Sequence, residues 1–311
     1  MQLKGNEMTA EKRMFFRFDV TLPFYIEARD EDSACFQVAS GQIITDLEKQ
    51  KIEVLNQSID TLFHDAKHVD NGSVDVFTGL NNKLEFFVWL LESLMNHLNV
   101  LQSDKYQQYL QDQQRFIIPS SNKSSKVLPL LQALSNRIDL YIDELSLVMK
   151  HSISDHVFIY SQSEVKFFNV RNYVGGLETL AESGNWLAKI ILDLIQKLNT
   201  YEDVLDRLKK QHSKLSDTEN WPHEKVNLGE GGLAVFSQQN FTLNQKVCVL
   251  LKLDETLIFA KALCVYQSKP SDDLSYNRTA FEFQEISSED RAHIVRYLMA
   301  QELAFHQVSQ D

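Results

Sequence analysis

Between residues 18 and 26 apolar and polar side chains alternate without a break. Phe18, Val20, Leu22, Phe24 and Ile26 share one side, while Asp19, Thr21, Pro23, Tyr25 and Glu27 share the other. A period of two predicts a half-buried β-strand. Pro23 has no N–H to give to a ladder, so at that point the strand is expected to run at an edge or to turn its nitrogen from a neighbour. From residue 45 to about residue 215 the period lengthens to that of a helix. Asp46 reads as the N-cap of a first helix carrying Leu47, Ile52, Leu55, Ile59, Leu62 and Phe63. A second apolar face runs through Leu84, Phe87, Val88, Leu91, Leu94, Met95, Leu98 and Leu101, and a third through Leu128, Leu131, Leu134, Ile138, Ile142, Leu145 and Val148. The Pro/Ser-rich stretch at 119–125 between them predicts a loop.

The last helical run is a heptad: Leu187, Ile191, Leu194, Leu198, Tyr201, Leu205, Leu208, His212 and Leu215 step by four and three. Ile190, Ile195 and Val204 widen the seam, and Lys197 and Glu202 flank it in positions suited to pairing between parallel chains. Two arrangements share this periodicity, namely packing against the other helices of the same chain and a coiled coil between subunits. The expectation is a homo-oligomer, tetramer or dimer, joined through a helix at 177–215. Beyond His223 the period of two returns, with strands expected at 233–237, 247–253, 257–266 and 279–283. Ser287-Ser288-Glu289-Asp290 then opens a closing helix lined by Ile294, Val295, Leu298 and Met299. A strand on one side of a helical block and four on the other predict an α+β chain. Residues 1–44 and 220–311 would form one β-domain, interrupted by a helical insertion at 45–219.

The 311 residues are 43% hydrophobic and 24% charged, an ordinary globular balance. A net charge of −12 opposes non-specific attraction to nucleic acid or to an anionic membrane surface. No run of 18 apolar residues predicts membrane insertion, and residues 1–12 lack the apolar core of a secretory signal, so a cytoplasmic protein is expected. Cys35, Cys248 and Cys264 are odd in number and form no CxxC pair, which predicts unpaired buried thiols. His64 and His68 have a zinc-compatible spacing but no third ligand nearby. There is no GxSxG, no GxxxxGK(S/T), and no GxGxxG after a strand. No enzyme, metal or cofactor is therefore expected.

Two short motifs remain. Arg13-Met14-Phe15-Phe16-Arg17 sets two guanidinium forks four residues apart just before the first strand, a chemistry suited to phosphate and to the O6 and N7 acceptors of guanine. Asn227-Leu228-Gly229-Glu230-Gly231-Gly232 combines an amide with glycines that let main chain approach a ligand closely. Taken singly, each also fits a bland role: surface charges in one case, a tight strand connection in the other.

Together, beside alternating strands, they resemble the RxxxR and (D/N)xSxxG elements of PilZ domains, small β-barrels that bind the bacterial second messenger cyclic di-GMP. The stretches RMFFRFDVTLPFYIE and VNLGEGGLAVFS carry the resemblance, and the segments at 257–266, 279–283 and the SSEDRAHIVRYL helix are similar to the family's closing strands and terminal helix. The resemblance covers somewhat under half the chain, roughly 12–44 and 220–311. It implies a PilZ-like antiparallel barrel binding cyclic di-GMP. Arg13 and Arg17 would hold phosphate and guanine, and Asn227, Gly229 and Gly232 would surround the other guanine. An atypical, tetrameric branch of the family carries added helices with heptads. Two departures stand out. Gly229 replaces the family's serine, a loss of one hydroxyl contact worth about 0.5 to 1.5 kcal/mol, and an insertion of about 175 residues, 45–219, stands between the first two strands, which ordinary PilZ domains join by a short connection. The implied function is a receptor coupling cyclic di-GMP to an oligomeric helical module. The alternative is a PilZ-like adaptor that reads no nucleotide and acts through protein contacts in motility, secretion or surface attachment.

Overall fold

A computed structural model describes residues 17–29, 35–36, 43–66, 69, 71–116, 118, 127–153, 157–160, 171–268 and 277–308. The chain divides into two compact units, one made of Met1–Cys35 with Thr218–Asp311 and the other of Phe36–Asp217.

In the first unit six strands, β1 Arg17–Ala28, β2 His223–Gly229, β3 Gly232–Ser237, β4 Lys246–Leu253, β5 Thr256–Gln267 and β6 Asn277–Ile286, close into a barrel in the order β1-β2-β3-β6-β5-β4. Every pairing is antiparallel. The alternation read from the first strand becomes its orientation: Val20, Leu22 and Phe24 are buried in the barrel core with Val226, Leu228, Val249, Leu251 and Phe281. Closure removes the edge expected at Pro23. The proline instead sits opposite His223, where β1 changes partner from β2 to β4. The helix α7, Ser288–Val308, adds Ile294 and Leu298 to the barrel core. The expected four strands after the insertion are five. The extra one is β2, whose sequence HEKVNLG is too short and too polar to show a clear alternation.

Cys35 and Cys248 form a disulfide with their Cα atoms 5.7 Å apart, and Cys264 alone stays a free buried thiol. This corrects the expectation of three unpaired cysteines. The partners are 213 residues apart in sequence, and only the pairing of β1 with β4 brings the chain leaving β1 beside Cys248.

The second unit is helical: α1 Asp46–His64, α2 Asn71–Met95, α3 Asp104–Arg115, α4 Val127–Lys150, α5 Arg171–Glu182 and α6 Trp186–Ser216. Thr45, one residue before the expected cap, closes a capping box: its Oγ1 accepts from Glu48 N at 3.3 Å and its N–H donates to Glu48 Oε2 at 2.9 Å. The helix expected at 177–215 is two helices. Gly184, at φ +85°, ends α5, and Asn185 caps α6 by accepting from Ala188 N at 3.0 Å. Arg207 on α6 donates to Ile43 O at 2.7 Å and to both oxygens of Glu48, while Trp186 Nε1 donates to Leu62 O at 2.8 Å.

The heptad is filled from within. Ile191, Leu194, Leu198, Tyr201, Leu205 and Leu208 are all buried in one core with Leu84, Phe87, Leu91, Leu134, Ile138 and Leu145. The flanking charges are satisfied the same way. Lys197 pairs with Glu85, and Glu202 accepts from Arg137 at 2.5 Å. Of the two arrangements with this periodicity, these residues of α6 show packing inside one chain. The apolar faces packed against it come from α1, α2 and α4, with Leu177 of α5 at its edge.

Candidate functional site

The barrel register decides what the two motifs can do together. Arg17 lies directly opposite Gly229 in the β1–β2 ladder, and Gly229 lies opposite Gly232 in the β2–β3 hairpin. The end of RxxxR and the glycine turn are therefore one place. Arg13 falls outside the described residues. Arg17 is exposed, Asn227 half-buried, and Gly229 and Gly232 are buried.

On a strand, alternate residues share a face, so Arg17, Asp19 and Thr21 point outward beside Gly229, Asn227 and Lys225. Ala234 and Ala280 continue the Asn227 row across β3 and β6, and Phe236 faces Arg278 one row below. The result is an outer surface with a short-side-chain floor, bordered by three cations, Arg17, Lys225 and Arg278, and by the exposed ring of Phe236. Glu282, opposite Gly232, is the acidic neighbour at the upper end.

Glycine at 232 is required by contact. A Cβ there would lie 2.1 Å from the Phe281 carbonyl oxygen and 3.1 Å from the Glu282 Cα, both main-chain atoms of β6. The turn is also held from outside, because Phe283 N donates to Gly231 O at 2.9 Å. Asn227 is engaged: its Nδ2 donates to Asp19 Oδ1 at 2.7 Å, and Lys225 Nζ reaches Asp19 Oδ2 at 2.9 Å. The hydrogen bond from Asn227 and then that from Lys225, with the charges of Lys225 and Arg278, hold the Asp19 carboxyl below the usual carboxylate range.

Residues 208–300 match the family model of the PilZ domain. Over this span the chain is similar to PilZ domains. The matched span takes in β2 to β6 and the first part of α7, and it leaves out β1 with its arginines. PilZ domains are binding and effector domains of the cyclic di-GMP receptor family, and the six-stranded antiparallel barrel with its flanking helix has that architecture. No curated protein and no solved structure gives a match. Among the described residues no group of histidine, cysteine and acidic side chains could hold a metal, and no helix is long and apolar enough to cross a membrane.

Asp19, Lys225 and Arg278 were missed in the sequence. All three are polar positions in alternating strands, where the default reading is a solvated face. Only the pairing of Arg17 with Gly229 turns Asp19 and Lys225 toward Asn227, and that register depends on a closure across the whole insertion.

Proposed function

We propose that this PilZ domain binds cyclic di-GMP on the outer face of β1, β2 and β3, and that the protein is a non-enzymatic receptor rather than a catalyst. The observation that carries the reading is the register: in a chain with a PilZ match, Arg17 stands opposite Gly229, so both motif halves border one surface. Arg13 and Arg17 supply guanidinium forks for phosphate and guanine. Asn227 supplies an amide for the other guanine, and Gly229 and Gly232 let main chain approach it. The Phe236 ring suits a planar base, and the Arg278 and Lys225 cations suit the two phosphate charges of the ligand. The helical unit is the part through which binding would reach a downstream protein, in the cytoplasm.

Calorimetric titration of the full chain tests it. Binding at micromolar ligand is expected, with loss of at least tenfold in affinity for Arg17→Ala and for Arg13→Ala. No heat at 100 micromolar ligand, with the protein folded, would instead leave a PilZ-like adaptor. The absent serine hydroxyl at Gly229 is the feature that favours that second reading.

A further inference from the structure

The asparagine that the receptor reading assigns to the ligand already has a partner. Asp19 is its cross-strand neighbour, and the carboxylate takes the Asn227 amide proton at 2.7 Å through one oxygen and the Lys225 ammonium at 2.9 Å through the other. Arg278 lies close enough to act on the same carboxylate by charge. Asp19 therefore sits among the groups that an anionic nucleotide would use, and it presents to them acceptor oxygens, as a guanine carbonyl would, with the negative charge a phosphate would bring. The side chains of Asp19 and Lys225 are 50% and 67% exposed, so the contact is open to displacement and is not locked in a core.

We propose that Asp19 is an internal competitor for the ligand: its carboxylate occupies Asn227 and Lys225, and an anionic nucleotide binds by displacing it from both. The proposal rests on the receptor reading and adds what sets the affinity. Two costs follow from the one side chain. The hydrogen bond to Asn227 must be exchanged, and the carboxylate then remains beside a ligand carrying two phosphate charges. Since Gly229 contributes no hydroxyl, Asn227 carries more of the recognition from β2 than it would beside a serine, and its engagement by Asp19 weighs correspondingly more. The opposite role is equally definite: as a positioning residue, Asp19 would hold Asn227 in the geometry the ligand needs. The two roles predict opposite signs.

Titration of the full chain with cyclic di-GMP separates them. Asp19→Ala is expected to bind roughly three- to tenfold more tightly than the native chain, the scale of one solvent-exposed hydrogen bond exchanged. Asp19→Asn keeps the size and a hydrogen-bonding group while removing the charge, and it should fall between. Asn227→Ala should cost more affinity in the Asp19→Ala background than in the native one, because the amide is then free to engage the ligand. Equal or weaker binding by both Asp19 variants, with melting temperatures unchanged, overturns the competitor role while leaving the receptor reading intact. Absence of binding in the native chain and in both variants overturns the receptor reading and the competitor with it. Binding that appears only in the variants supports both.

Discussion

Replacing Leu198 by aspartate tests where the heptad of α6 is buried. Leu198 is 1% exposed and belongs to the core of its own helical unit. Truncating a buried leucine costs about 2 to 5 kcal/mol, and placing a polar group in the apolar site adds about 1 to 3 kcal/mol. The sum, on the order of 5 kcal/mol, is comparable with the whole stability of a typical domain, about 5 to 15 kcal/mol. The helical unit is therefore expected to lose its cooperative melting, followed by circular dichroism at 222 nm. Light scattering on the same samples reports mass. If Leu198→Asp kept the native melting curve while an oligomer fell apart into single chains, the seam would lie between subunits and the intramolecular packing described above would be refuted.

Other outcomes follow from the same packing. Gly232→Ala drives a Cβ into the Phe281 carbonyl and should cost about 1 to 3 kcal/mol, seen as a lower melting temperature of the barrel; an unchanged melt would contradict the close β3–β6 approach. Alkylation of air-purified, unfolded protein followed by mass measurement should add one label without reductant, at Cys264, and three after reduction; three labels without reductant would rule out the Cys35–Cys248 bond. Two buried titrating groups of α6, Glu202 and His212, oppose each other. Burial, despite Arg137, raises Glu202 from 4.5 to about 7, so its proton is held more tightly in the fold and its contribution to stability falls as pH rises from 4.5 to 7. Burial, aided by His97, lowers His212 from 6.5 to about 4, so its contribution falls as pH drops from 6.5 to 4. Urea unfolding of Glu202→Gln should therefore lose stability on acidification from pH 6.5 to 4.5, by on the order of 1 kcal/mol per pH unit, where the native chain changes little; equal slopes would refute the opposition.

The strands of the barrel were legible wherever alternation ran for five residues or more. The inward set Val20, Leu22 and Phe24 could be read directly, because a closed sheet keeps one face apolar along every strand. β2 was not, since seven residues with three charged or titrating side chains at its start leave no period to detect. The heptad gave its buried face correctly, with Leu198 and Leu205 in the core, but a periodicity of three and four is the same whether the covering helix belongs to the chain or to a neighbour. At the site, glycine at 232 and asparagine at 227 were readable as types. Asp19 was not, because its role depends on register, and register across an insertion is a tertiary property. The disulfide was hidden for the same reason, as its two halves meet only after β1 has paired with β4.

That last dependence bears on how the molecule reaches its native state. β1 and β2 are ladder neighbours, yet roughly 190 residues separate the end of one from the start of the other. Closing a flexible loop of that length rather than a ten-residue connection costs about 2 to 3 kcal/mol of chain entropy. The segment from β2 to β6 is contiguous and rich in short-range pairing, so it can assemble early, with β1 docking after the intervening helices have shortened the span. In a refolding chain the strands that are contiguous in sequence would then pair before Arg17 and Asp19 reach their places opposite Gly229 and Asn227.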